Sequence, residues 1–194
     1  MGENVRRIIS KGVLLFLLFS VVGWIYEVVL AFLYGYGFVN RGFLFGPYLP
    51  LYGTGALLLI ICLEPLMKKD IRIGGLKVTQ TVIFFAIVMI TTALEYGVGW
   101  LLEVLFDQRF WDYSTYNYQL HGRICLSASI RFGLGGMLFL YILLPLFMKI
   151  INKIPVRVRF IVSLCVIGIL AADLIATLYI SSVYGFNPVL AQPR

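Results

Sequence analysis

Five ionisable residues fall inside stretches otherwise suited to a lipid bilayer: Glu27, Glu95, Glu103, Arg131 and Asp173. A charged side chain at the bilayer centre costs roughly 2.5–3.5 kcal/mol on insertion scales. Such groups therefore face a bundle interior, pair with one another, or line water. Neighbouring carboxylates raise one another's pKa and guanidinium groups lower it. Four acids around Arg131 could thus hold a shared proton or a cation in an intramembrane pocket. A second set, Asn40, Arg41, Arg109, Trp111, Asp112, Tyr113 and Arg123, lies in two loops beyond the apolar stretches, where it would form an outer mouth. Two other readings stand beside a solute path: static ion pairs that lock the helices, and catalysis.

Helical spacing lines these groups up with small residues. Thr92, Glu95, Gly99 and Glu103 share one stripe, as do Ser20, Gly23, Glu27 and Tyr34. Ser127, Arg131 and Gly135 align on a third face, and Asp173 aligns with Thr177 on a fourth. Small residues allow close backbone approach between helices that gain nothing from leaving lipid.

The elements that position them are membrane spans. Hydrophobic residues make up 61% of the chain and charged residues 13%, against roughly 45–50% and about 25% in soluble domains. Five apolar stretches, at 12–37, 51–67, 78–105, 124–148 and 160–184, approach the roughly 20 residues that a crossing helix needs. The fold class is therefore all-α: a polytopic membrane protein of five transmembrane helices in a single membrane domain, residues 1–194. The first stretch is too long for a signal-peptide core. Arg6, Arg7 and Lys11, then Lys68, Lys69, Arg72 and Lys77, then Lys149, Lys153, Arg157 and Arg159 occupy alternate connecting segments. The opposite segments hold only Arg41, Arg109, Arg123 and Arg194. Positive charge is retained on the cytoplasmic side, so the N-terminus is expected in the cytoplasm and the C-terminus outside. The net charge of +7 then reports topology, and no nucleic-acid partner is expected.

Three landmarks recur in order. Gly23-Trp24-x-x-Glu27-Val28 matches Gly99-Trp100-x-x-Glu103-Val104; "NRG" at 40–42 is answered by "HGR" at 121–123; "YGTGALLL" at 52–59 parallels "FGLGGMLF" at 132–139. The pattern suggests a duplicated helical hairpin, one copy at about 12–67 and one at about 78–148, with an extra helix at about 160–184. Both copies start on the same side, which makes the repeat parallel.

The loop "FVNRGFLFGPYLPLYGTG" is rich in glycine and proline yet strongly apolar. Such backbone is tolerated at membrane depth only against protein or a water-filled cavity. The loop "FDQRFWDYSTYNYQLHGR" mixes aromatics suited to headgroups with a dense polar set. His121 is the only histidine, four residues before Cys125. A membrane enzyme acting on lipid or an envelope precursor would draw on Asp112, His121 or Cys125. The chain holds neither HExxH, GxSxG nor a P-loop, so no catalytic residue, metal site or cofactor is assigned and the chain is read as a non-enzyme. Cys62, Cys125 and Cys165 are scattered and suggest buried thiols.

The segments "GWIYE", "NRGFLFGPYLPLYGTG", "LEYGVGWLLEVLF" and "RFWDYSTYNYQLHGRICLSASIRFG" carry a resemblance over most of residues 23–133. The chain resembles a bacterial membrane family of ABC-transporter permeases of the CmpB type. The family's motif positions fall on Glu27, Asn40, Arg41, Gly42, Gly46, Pro47, Tyr52, Gly53, Glu95, Glu103, Arg109, Trp111, Asp112, Tyr113, Gly122, Arg123, Cys125 and Ser127. The resemblance implies transport with an ATPase on a separate chain.

The expectation is then a permease-like protein of the bacterial inner membrane, binding a small polar or cationic solute or a lipid headgroup. Its expected partners are the lipid bilayer, a separate ATPase subunit and further copies of itself. A structural or regulatory subunit with no path of its own is the main alternative.

Overall fold

The computed structural model describes residues 2–107 and 109–184. The elements in chain order are α1 (Glu3–Leu33), α2 (Pro50–Met67), β1 (Arg72–Ile73), β2 (Leu76–Lys77), α3 (Thr79–Phe106), β3 (Gln119–Leu120), β4 (Ile124–Cys125), α4 (Leu126–Leu138), a π turn (Phe139–Leu143), α5 (Leu144–Lys153) and α6 (Val156–Tyr184). With α4, the π turn and α5 running as one span, five helices are long and apolar enough to cross a membrane. The helical class expected from the sequence is what the chain adopts, and the only strands among the described residues form two short ribbons. The C-terminal end, including Arg194 and the final residues used for the topology argument, lies outside the described residues.

Helix ends fall where the local chemistry stops them. The first span ends at Leu33, short of the expected residue 37. Gly35 and Gly37 take φ of +84° and +72° there, a left-handed exit that glycine adopts without steric cost. The last helix starts at Val156, earlier than expected, directly after Pro155. Proline is pre-set for the opening of a helix, where its missing N–H is no loss. The fourth span reaches Lys153 and contains the π turn. Pro145 has no N–H for the Tyr141 carbonyl and its ring crowds that oxygen, so the turn before it widens.

The chain divides into two compact units. One takes the sequence up to Thr54 and again from Met148; the other is Gly55–Phe147. In the first, α1 packs along α6. Their contact is small and polar: Ser10, Ser163 and Thr177 are fully buried, and the Ser163 hydroxyl reaches the Ser10 carbonyl at 3.3 Å. In the second, α3 packs along α4. A Cβ on Gly133 would lie 2.6 Å from Val88 and 2.7 Å from Phe84, and Thr92 Oγ1 donates to Ser129 Oγ at 2.8 Å. Ile83 and Ile87 are wholly buried in this unit. Apolar side chains such as Ile61, Phe85, Met89, Ile161, Ile169 and Ile175 stay exposed, which is the surface a bilayer requires.

The first ribbon turns on Gly74 and Gly75, both with positive φ, as a two-residue hairpin demands. Arg72 and Lys77, paired across it, both reach Asp70 at 2.7 and 3.1 Å. The Arg72 hydrogen bonds, followed by Lys77, hold the Asp70 carboxyl below its ordinary range.

Candidate functional site

In the unit Gly55–Phe147, the segment after α3 folds back over that helix. Trp111 Nε1 donates to the Arg123 carbonyl at 2.8 Å. Its ring lies against Gly99, whose absent Cβ would stand 3.1 Å from it. Tyr113 donates through its hydroxyl to Glu95 Oε1 at 3.0 Å, and Glu95 is only 4% exposed. A buried carboxylate needs such donors. Arg123 grips Glu103 Oε2 through Nε at 3.0 Å and Nη2 at 2.7 Å, and Arg109 Nε reaches the other oxygen at 3.2 Å. Arg109 Nη1 lies 3.7 Å from Asp112. The result is a continuous chain Arg123–Glu103–Arg109–Asp112.

The turn that closes this arrangement rests on His121 and Gly122, with φ of +54° and +69°. A Cβ on Gly122 would sit 2.6–2.8 Å from Ser114 Oγ, Asp112 Oδ1 and Arg109 Nη1. A larger residue there would strain the left-handed backbone and push these polar ends aside. The His121 ring is joined to the Tyr96 hydroxyl through Nδ1 at 2.9 Å. The Arg123 guanidinium lies over the Tyr96 ring, 5.5 Å from its centroid, a cation–π contact. An open cleft of about 550 Å³ results, lined by Tyr96, Trp100, Arg109, Ser114, Gln119, His121, Gly122 and Arg123.

Residues expected in a central pocket and residues expected at a mouth therefore form one cluster here. Glu95, Glu103, Arg109, Trp111, Asp112, Tyr113 and Arg123 are joined by direct contacts. Arg131 donates to the Ser127 carbonyl of its own helix at 3.3 Å. Tyr96, Trp100, Ser114 and Gln119 were not singled out in the sequence. Tyr96 follows Glu95 directly, and Trp100 is the tryptophan of the Gly-Trp-x-x-Glu motif, so both carried a signal of position. Ser114 and Gln119 carried none.

The other unit holds the remaining expected residues. Gly23 leaves space for the Tyr52 ring, whose Cγ would be 2.2 Å from a Cβ there. The Tyr52 hydroxyl donates to Glu27 Oε1 at 2.6 Å. Trp24 Nε1 donates to Asn40 Oδ1 at 2.6 Å, and Asn40 Nδ2 donates to the Phe45 carbonyl at 3.0 Å. Asp173 accepts from the Phe45 and Gly46 backbone N–H groups at 3.1 and 2.9 Å, from Thr177 at 3.2 Å, and from the Tyr48 hydroxyl. Burial first, then the hydrogen bond and charge of Asp173, push the Tyr48 phenol above the ordinary tyrosine range. Arg41 Nε is buried without a hydrogen-bond partner among the described residues. Glu27 and Asp173 thus engage different partners within this unit.

The pair considered for catalysis is not joined. His121 bonds Tyr96, whereas Cys125 is 2% exposed and its Sγ meets Ser127 Oγ at 3.3 Å. No group of three or more His, Cys, Asp or Glu among the described residues could hold a metal ion.

A family model described as "Putative ABC-transporter type IV" (ABC_trans_CmpB) matches residues 14–178. No curated protein and no solved structure matches the chain.

Proposed function

The chain belongs to the family described as putative ABC-transporter type IV, and from that premise we propose that this multi-pass membrane protein is permease-like and binds its solute in the Arg109–Arg123 cleft. The observation that carries this reading is the Arg123–Glu103–Arg109–Asp112 chain beside that cleft. The two arginines are held in place by carboxylates and still line the opening. The lining includes His121, Gln119 and Ser114 but no carboxylate. It suits a small polar solute, or a lipid headgroup, that offers acceptor oxygens to fixed donors. The bias of lysine and arginine toward the opposite connecting segments supports an outward-facing cleft, in the inner membrane of a bacterium on this reading. Glu95 and Tyr113 would set the depth of the Trp111 loop, and Glu27, Asn40 and Asp173 would hold the other connecting loop. Energy would come from an ATPase on a separate chain, consistent with the absence of a P-loop here. This chain is assigned no chemical turnover of its own.

The test is solute binding to the purified chain, read by its intrinsic tryptophan fluorescence, Trp100 being part of the cleft lining. A panel of polar solutes should contain at least one that quenches saturably. Glu103→Gln should abolish saturation while the helical circular dichroism is kept. Unchanged binding in that variant would sink the assignment. The rival reading, a structural subunit, draws support from Asp173, whose oxygens are engaged by the loop. It expects Glu103→Gln to change thermal stability alone.

A further inference from the structure

We propose a second, independent site: an anion site for a phosphate group, where the start of α1 meets the turn between α5 and α6. A cavity of about 350 Å³ opens there, lined by Arg7 and Lys11 of α1, Asn152 and Lys153 of α5, and Arg159 of α6. Four of the residues that set the topology thus gather on one hollow.

Arg159 is the anomaly. It is only 3% exposed, and its contacts are neutral. Nε donates to Ser10 Oγ at 3.1 Å and Nη1 to the Ile151 carbonyl at 3.2 Å. Nη2 has no hydrogen-bond partner among the described residues. No carboxylate among them lies within ion-pair distance of Arg159, Lys11 or Lys153. Arg7 alone has one, Glu3 at 3.7 Å, and both are exposed. A buried guanidinium without a counter-charge is unfavourable, and the cavity it lines can admit one. The first turn of α6 adds backbone N–H groups at its positive end, since the earliest intrahelical bond there is Arg159 N–H to the Pro155 carbonyl.

The charge count selects the ligand. Two guanidinium forks and two ammonium groups match the oxygens and charge of a phosphate better than a single carboxylate. Basic pockets between helices at a span's end take anionic headgroups, and free phosphate offers the same chemistry. The two sources are separated by experiment.

The full chain is placed in nanodiscs of phosphatidylcholine, with or without phosphatidylglycerol, and its thermal midpoint is followed. Inorganic phosphate is titrated into the phosphatidylcholine discs at constant ionic strength, with chloride as the control. The variant Arg7→Gln/Lys153→Gln removes two exposed cations of the cavity and should fold. The matched control Lys149→Gln/Arg157→Gln removes two cations outside it. Stabilisation by phosphatidylglycerol alone identifies a headgroup site; stabilisation by phosphate in phosphatidylcholine identifies a site for the free anion. In either case the cavity variant should require about thirtyfold more ligand, and the control should behave as wild type. The proposal fails if neither probe shifts the wild-type midpoint, or if both variants lose the response equally. Arg159→Lys adds a check on fork geometry: it should weaken the response, and a response at wild-type strength would overturn the role given to Arg159.

Discussion

At the scale of single residues, Asp173 shows how a carboxylate inside a span is made tolerable. Two backbone N–H groups, a phenol and a threonine hydroxyl converge on it, so its charge is spread over donors rather than matched by a cation. Tyr48→Phe removes one of these donors and should destabilise the chain by about 1.5–3 kcal/mol, as expected for a hydrogen bond to a charged group; chemical or thermal unfolding of the pair of proteins measures it. The same contact has a pH signature. In the unfolded chain the phenol ionises near about pH 10, and in the folded chain it ionises later. Its contribution is therefore complete below that pH and is lost as pH rises through the folded value. The difference in phenolate absorbance between wild type and Tyr48→Phe should lack a step near the ordinary tyrosine pKa and show it only after unfolding. The link between Asp173 and Thr177 was legible from helical spacing. The link to Tyr48 was not, because 125 residues separate the pair and nothing local records a partner so distant. Arg159 is the opposite case. In a basic segment it reads as a solvated charge, and only packing reveals its burial.

At the scale of elements, hydropathy located all five spans because membrane helices must satisfy their backbone internally and face lipid outwardly. Their ends were less legible, since Gly35, Pro155 and Pro145 act through backbone geometry that hydropathy does not report. The face read on α4 from spacing, Ser127, Arg131 and Gly135, is not the one that packs: Gly135 has open space around it, and α3 instead meets Ser129, Gly133 and Gly136. Gly133→Val would force two methyl groups into Phe84 and Val88. It should cost about 1–3 kcal/mol by overpacking, seen as a lowered unfolding midpoint, whereas Gly97→Ala, with open space around its position in mid-helix, should leave the midpoint unchanged or raise it by the equivalent of up to about 1 kcal/mol. Within the candidate site, Glu95 and Glu103 were legible by their cost in lipid. Their partners Tyr113, Arg109 and Arg123 were identified as polar loop residues, but the pairing needed the left-handed turn at His121 and Gly122.

At the scale of the whole molecule, the distribution of lysine and arginine predicts an orientation that labelling can test. Cysteines are placed singly at Leu76 and Tyr118, both exposed, after Cys62, Cys125 and Cys165 are changed to alanine. A membrane-impermeant thiol reagent on intact cells should modify the Tyr118→Cys protein and leave Leu76→Cys untouched until the membrane is opened; the reverse pattern would invert the topology. The two compact units differ in how the chain builds them. Gly55–Phe147 is one uninterrupted stretch, whereas the other unit joins roughly the first and last quarters of the sequence. Sequence-local contacts close at little entropic cost, and distant ones must wait for the chain that supplies them. On the ribosome, the α3–α4 hairpin can assemble while α6 is still unsynthesised. The first helix inserted must then remain without its polar-faced companion until the last helix arrives, and the glycine-proline loop after it stays untethered until Asp173 reaches the bilayer. A nascent chain stopped before α6 would present Ser10 and the loop amides unsated, a form that quality-control proteases could tell apart from the finished product.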